Sequence, residues 1–160
     1  MALPEIGKQA PAFSLPDQHG RIRGPQDYKG RVLVIYFYPK AMTPGCTVQA
    51  CGIRDSRKRL EQLDVAVLGI STDPVARLAK FADKEKLNFT LLADEDHAVA
   101  DHYGVWDLKK FMGREYMGIK RMSFIVGADG KLRHIMEKVN TKTHHQDVLA
   151  WIEANIELLK

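Results

Sequence analysis

The chain has 160 residues, 45% of them hydrophobic and 28% charged, a balance that fits one domain with a sizeable core and excludes a fibre or a disordered polymer. The net charge of +4 is scattered, and the longest basic cluster, Arg57-Lys58-Arg59, reads as a solvated helix face, so neither nucleic acid nor a membrane is an expected partner. No apolar run approaches the ~18–20 residues that span a bilayer. No signal peptide is evident at residues 1–5, and two cysteines do not make a disulfide scaffold, so a reducing cytoplasm is the expected location.

Residues 1–12 read as an irregular lead-in, with Pro4, Gly7 and Pro11 excluding regular structure. Phe13-Ser14-Leu15 reads as a short edge strand, and Gln18-His19-Gly20 and Gly24-Pro25 as turns. Residues 32–38 (VLVIYFY) are continuously apolar and β-branched or aromatic, the pattern of a strand buried on both faces. Pro39 stops it. Thr43-Pro44 opens a helix, with Thr43 as N-cap and Pro44 in the first turn. That helix is expected to continue to about Leu63, anchored by Val48, Ile53 and Leu60. Residues 65–71 form a second buried strand, and Asp73-Pro74 starts a helix whose apolar face is Val75, Leu78, Phe81 and Ala82.

Residues 89–92 are expected to connect, 95–103 to form a short helix ended by Gly104, and 106–118 to form a loop over the core. Two strands follow, at 122–126 and 132–136, joined by the Gly130-containing hairpin connection. A terminal helix starts near Thr143 and carries the stripe Val148, Trp151, Ile152, Ile156 and Leu159. This order predicts a mostly parallel sheet with an added antiparallel part and helices on both faces. Sites in such sheets lie at the carboxyl ends of strands.

Cys46 falls in the first turn of the Thr43-Pro44 helix, just past the carboxyl end of the first core strand. Unpaired N–H groups and the positive end of the helix dipole favour a thiolate there, and with it a reactive sulfur. The competing reading is an inert buried thiol that packs as a small hydrophobe. Cys51 lies five residues on in the same helix, which places the two Cα atoms roughly 8.6 Å apart. A disulfide needs less than about 7 Å. If the two ever bond, the helix start must first unwind. Metal chemistry is not indicated: His19, His97, His102 and His134 are scattered, His144-His145 read as solvated first-turn residues, and the Cys46–Cys51 spacing is too wide for a zinc knuckle.

The stretch from Pro39 through Thr43 to Cys46 matches the active-site motif of the peroxiredoxins, thiol peroxidases of thioredoxin-like fold. Thr-Pro-Gly-Cys-Thr at 43–47, Ala50-Cys51, Arg54-Asp55, the run at 92–97, Tyr103-Gly104-Val105-Trp106 and residues 116–121 resemble the bacterioferritin comigratory protein (peroxiredoxin Q) branch, in order and over most of the chain.

The resemblance implies an α/β, thioredoxin-like fold with a central mixed β-sheet flanked by helices on both faces, as one domain over 1–160. It implies Cys46 as the peroxidatic thiolate that attacks a hydroperoxide, with Thr43 placing a hydroxyl at the reacting atoms. Pro39 would shield the pocket and Arg121 would stabilise thiolate and polarised peroxide. Cys51 would resolve the sulfenic acid as an intramolecular disulfide, reduced in turn by thioredoxin or a similar dithiol. No cofactor is needed, and a monomer suffices. A disulfide oxidoreductase of thioredoxin type is disfavoured because the chain lacks Cys-x-x-Cys; a redox-signalling partner that uses oxidised Cys46 is a second alternative. Two positions depart from the branch: Gln49 stands where a glutamate is usual, and Met42 where a small polar residue is typical. Loss of the carboxylate either favours the anion at Cys46 or removes a proton-handling group.

Overall fold

The computed structural model describes residues 2–160. A small ribbon of β1 (Leu15–Pro16) and β2 (Ile22–Arg23) and a 3-10 turn at Pro25–Tyr28 lead into β3 (Val32–Phe37). Strand β3 is the middle of a five-stranded sheet. On one side it pairs in parallel with β4 (Val65–Ser71), which pairs in parallel with β5 (Thr90–Ala93). On the other it pairs antiparallel with β8 (Met122–Val126), itself antiparallel to β9 (Leu132–Met136). The sheet is mixed, as expected, but not mostly parallel: two of its pairings are parallel and two antiparallel, and β3 and β4 are buried along their whole length.

Alternation along the strands sorts the core into two layers. Val32, Val34, Tyr36 and Tyr38 face a layer with Cys46, Ala50 and Ile53 of α1 (Pro44–Asp55), Leu78 and Phe81 of α3 (Val75–Glu85), and Val148 and Ile152 of α5 (His144–Ala154). Leu33, Ile35 and Phe37 face Val99 and Ala100 of α4 (Ala98–His102) and the chain around Phe13 and Ile119. Fully burying one such side chain contributes about 1.5–3 kcal/mol, so the central strand fixes the frame on which the thiol loop is mounted.

Several expectations are corrected. The helix expected to reach Leu63 breaks at Ser56 into α1 and α2 (Arg57–Gln62), and the Ser56 hydroxyl donates to Gly52 O at 2.9 Å across the break. Val48 is exposed, because the inward face of α1 is Cys46, Gln49, Ala50 and Ile53. Residues 89–92 contribute β5 and are not a mere connection, since pairing with β4 decides what four residues cannot signal alone. Residues 106–118 are not a loop: β6 (Trp106–Phe111) and β7 (Arg114–Ile119) form a hairpin in register from Trp106↔Ile119 to Phe111↔Arg114. Met112 and Gly113 turn it with φ of 50° and 77°, the left-handed pair of a type I′ turn, and a methionine where Asn is usual hid that signal. The terminal helix breaks at Asn155 into α5 and α6 (Ile156–Leu159). His144 is not solvated but 1% exposed.

Candidate active site

The loop between β3 and α1 begins at the half-buried Pro39 and is pinned at Ala41. The Ala41 N–H donates to Asp73 Oδ2 at 2.8 Å, and Arg77 Nη2 donates to Ala41 O at 3.0 Å. Asp73 also accepts from the Ser71 hydroxyl at 2.7 Å and pairs with Arg77 Nε at 3.2 Å. Both polar groups of one buried residue are thus held by the end of β4 and the start of α3. Met42 next to it has φ of 65°, a left-handed conformation that costs a non-glycine residue of order 1–3 kcal/mol and persists only where the surroundings enforce it. The Ala41 clamp supplies that enforcement. It also accounts for Met42 as a departure: a small polar residue adopts this conformation more easily.

Thr43 is the N-cap residue, in extended conformation, with Pro44 at the first helical position as expected. Its hydroxyl does not cap the helix; it donates to Lys40 O at 2.8 Å. Cys46 follows in the first turn and is 1% exposed. Arg121 reaches it from across the sheet. Because β8 runs antiparallel to β3 with Met122 opposite Phe37, the residue before β8 arrives at the carboxyl end of β3, beside the start of α1. Arg121 Nη1 lies 3.3 Å from Cys46 Sγ and 2.7 Å from Gln49 Oε1. A guanidinium at this distance and the unpaired N–H groups of a helix start act on the sulfur in the same direction.

Gln49 is fully buried and continues the contacts: its Nε2 lies 3.2 Å from His144 Nδ1, whose Nε2 lies 2.6 Å from Ser123 Oγ. Lys109 of β6 stands near enough to feel this charge; burial, then Arg121, lowers its pKa, with Cys46 opposing. The Tyr36 hydroxyl is buried in the core layer that holds Cys46 and has no hydrogen-bond partner among the described residues. Burial pushes its pKa well up, with further contributions from Tyr38 and both cysteines.

Cys51 sits five residues along the same unbroken helix, so the roughly 8.6 Å Cα separation of helical geometry applies. Both cysteines are free thiols. Cys51 is half-buried, its Sγ 3.7 Å from Glu85 Oε1. Burial raises its pKa above the usual thiol value; Arg54 opposes and Glu85 adds to the rise. Of the positions singled out in the sequence, Cys46 and Arg121 touch, Thr43 and Pro39 flank them in the loop, and Cys51 is held apart. No cluster of three or more His, Cys, Asp or Glu side chains suited to a metal exists among the described residues, and no described helix is long and apolar enough to cross a membrane.

The model of the AhpC/TSA family matches residues 6–135. Peroxiredoxin Bcp of Escherichia coli K12 is 54% identical over 149 residues, covering 93% of this chain and 96% of that protein. The chain is a peroxiredoxin of the AhpC/TSA family. Peroxiredoxin Bcp of Bacillus subtilis is 44% identical over 145 residues, 91% of this chain and 92% of its own. Among solved structures, Mycobacterium tuberculosis BcpB superposes with a TM-score of 0.82 at 35% identity, covering 94% of this chain and 97% of that one. The bacterioferritin comigratory protein of Xanthomonas campestris, solved in a study of its alkyl peroxide reduction, superposes with a TM-score of 0.87 at 28% identity, covering 94% and 99%. The thioredoxin-like fold and the peroxiredoxin Q branch are thereby shown.

In this peroxiredoxin two features beside the thiol escaped the sequence. In the sequence Asp73 marks only the start of a helix with Pro74, Arg77 carries no signal, and His144 reads as a solvated first-turn residue. The His144-His145 doublet was the visible signal, but which of the two turns inward depends on the docking of α5, which no local pattern records.

Proposed function

We propose that this peroxiredoxin, as one thioredoxin-like domain, reduces hydrogen peroxide and organic hydroperoxides through Cys46. The Cys46 thiolate attacks the terminal oxygen of ROOH. An S–O bond forms as O–O breaks, leaving Cys46 as sulfenic acid and RO⁻ to be protonated to the alcohol. Negative charge builds on both peroxide oxygens during transfer, so positioned donors matter more than an acid–base pair. Arg121 supplies donors, and the Thr43 hydroxyl, whose proton points at Lys40 O, keeps lone pairs free to accept from the peroxide O–H. Pro39 screens the approach. Since Cys46 is 1% exposed, the peroxide enters by displacement of the loop that follows Pro39.

The Cys51 thiol then attacks the sulfenic sulfur, expelling water and forming an intramolecular disulfide. The separation along α1 requires the first turns to unwind for this. Thioredoxin or a similar dithiol reduces that disulfide by exchange and restores both thiols. Both sulfurs belong to one chain, so a monomer completes the cycle, and free thiols suit the cytoplasm. The observation that carries this reading is the 3.3 Å contact of Arg121 with Cys46 Sγ at the start of α1.

The test is peroxide consumption with thioredoxin and its reductase. Cys46→Ser should lose turnover entirely, while Cys51→Ser should consume about one equivalent of peroxide and then fail to recycle. Undiminished turnover by Cys46→Ser would refute the assignment.

A further inference from the structure

The chain of contacts behind Arg121 can be oriented atom by atom. A guanidinium only donates, so the Gln49 atom 2.7 Å from Arg121 Nη1 is the amide oxygen. The amide nitrogen therefore faces His144 Nδ1 at 3.2 Å. An amide NH2 also only donates, so Nδ1 carries a lone pair and the ring proton is on Nε2, donated to Ser123 Oγ at 2.6 Å. His144, Gln49 and Ser123 are all buried, and the three come from α5, α1 and β8. Turning the amide over would set its hydrogens against the donors of Arg121, a conflict that changing the His144 tautomer does not relieve.

We propose that His144 is a positioning residue for the peroxide-reducing thiol. Its unprotonated Nδ1 fixes the Gln49 amide with the oxygen toward Arg121, and so keeps Arg121 Nη1 on Cys46 Sγ. The proposal rests on the reading of Cys46 as the nucleophile and adds a residue that nothing in the thiol loop announces. It also gives Gln49 a reason. A carboxylate there would compete with the thiolate for the guanidinium, whereas a neutral amide orients Arg121 and leaves its charge to the sulfur. The surroundings keep the ring neutral: burial pushes the His144 pKa down to about 4, His145 and Arg121 add to this, and Asp147 of α5 alone opposes it. The Tyr36 ring of β3, 5.4 Å away, brings no charge.

The experiment is stopped-flow oxidation of Cys46 by hydrogen peroxide in the Cys51→Ser background, across pH. His144→Phe, which removes the acceptor, should slow the first oxidation about tenfold, equivalent to roughly 1.4 kcal/mol and within the range of a lost hydrogen bond between neutral groups, and should move the pH midpoint of the rate upward. Gln49→Met should do the same, and the double variant should be no slower than either single one. His144→Asn, whose Oδ1 can accept near the position of Nδ1, should recover most of the rate. An unchanged rate and pH profile for His144→Phe, equal losses in the Phe and Asn variants, or losses that multiply in the double variant would each overturn the proposal. If His144→Phe does not fold by circular dichroism, the comparison of Gln49→Met with His144→Asn decides: a Gln49→Met variant of normal rate and pH profile overturns the relay. Retained peroxide reduction by Cys46→Ser in the same assay would instead overturn the reading of the nucleophile.

Discussion

The two cysteines of this peroxiredoxin occupy one helix and opposite electrostatic surroundings. Cys46 lies at the positive helix start with a guanidinium at 3.3 Å, while Cys51 lies a turn and a half on with a carboxylate at 3.7 Å. Burial and Glu85 favour the protonated form of Cys51. The two sulfurs therefore differ before any peroxide arrives: Cys46 faces a hydrogen-bond donor at the start of the helix, while Cys51 is held away from it beside a carboxylate that favours its protonated form. A single helix supplies both conditions, because its dipole and its rigidity act on different residues.

The comparison breaks most readily at Arg121. Arg121→Met should lower the rate of Cys46 oxidation by about 10²–10³, the usual cost of removing a positioned donor from developing charge. Stopped-flow kinetics checks it. Next in size is acid stability. The His144 pKa of about 4 lies below the ordinary 6.5, so its contribution is fully present above pH 6.5 and is lost as pH falls through about 4. This amounts to roughly 3 kcal/mol. Denaturant titrations at pH 7 and pH 4 should show that loss in the native chain and a smaller one in His144→Phe.

Tyr36→Phe sharpens the comparison from the side of motion. Removing a buried hydroxyl that has no partner among the described residues should stabilise the reduced form by about 1 kcal/mol and so slow the unwinding that disulfide formation needs. Denaturant titration and rapid-quench thiol trapping read the two effects. The smallest effect is at Glu85. Glu85→Gln should lower the Cys51 pKa toward its ordinary value and so raise its alkylation rate at neutral pH a fewfold, leaving Cys46 oxidation unchanged.

The parts legible in the sequence were those whose signal is local. Strands β3 and β4 are buried throughout, so unbroken apolar runs announced them. The helix start at Thr43-Pro44 and the thiol in its first turn were visible for the same reason. The β6–β7 hairpin was not, because Phe111, Met112, Tyr116 and Met117 stay exposed and leave no clean alternation. Val48 went wrong because the sheet sees the face of α1 defined by Cys46, Gln49 and Ala50. Arg121 was found only through a family resemblance; its approach depends on the antiparallel register of β8. His144 and Gln49 lie 95 residues apart, and a contact of that range between two polar side chains has no periodic trace.

The most direct test of the division between the thiols is one equivalent of hydrogen peroxide, a millisecond quench, and mass spectrometry of both cysteines. Sulfenic acid should appear at Cys46 alone and convert to the Cys46–Cys51 disulfide, with amide exchange in the first turns of α1 rising as it does. Sulfenic acid at Cys51, or a disulfide formed while those turns stay protected, would contradict it.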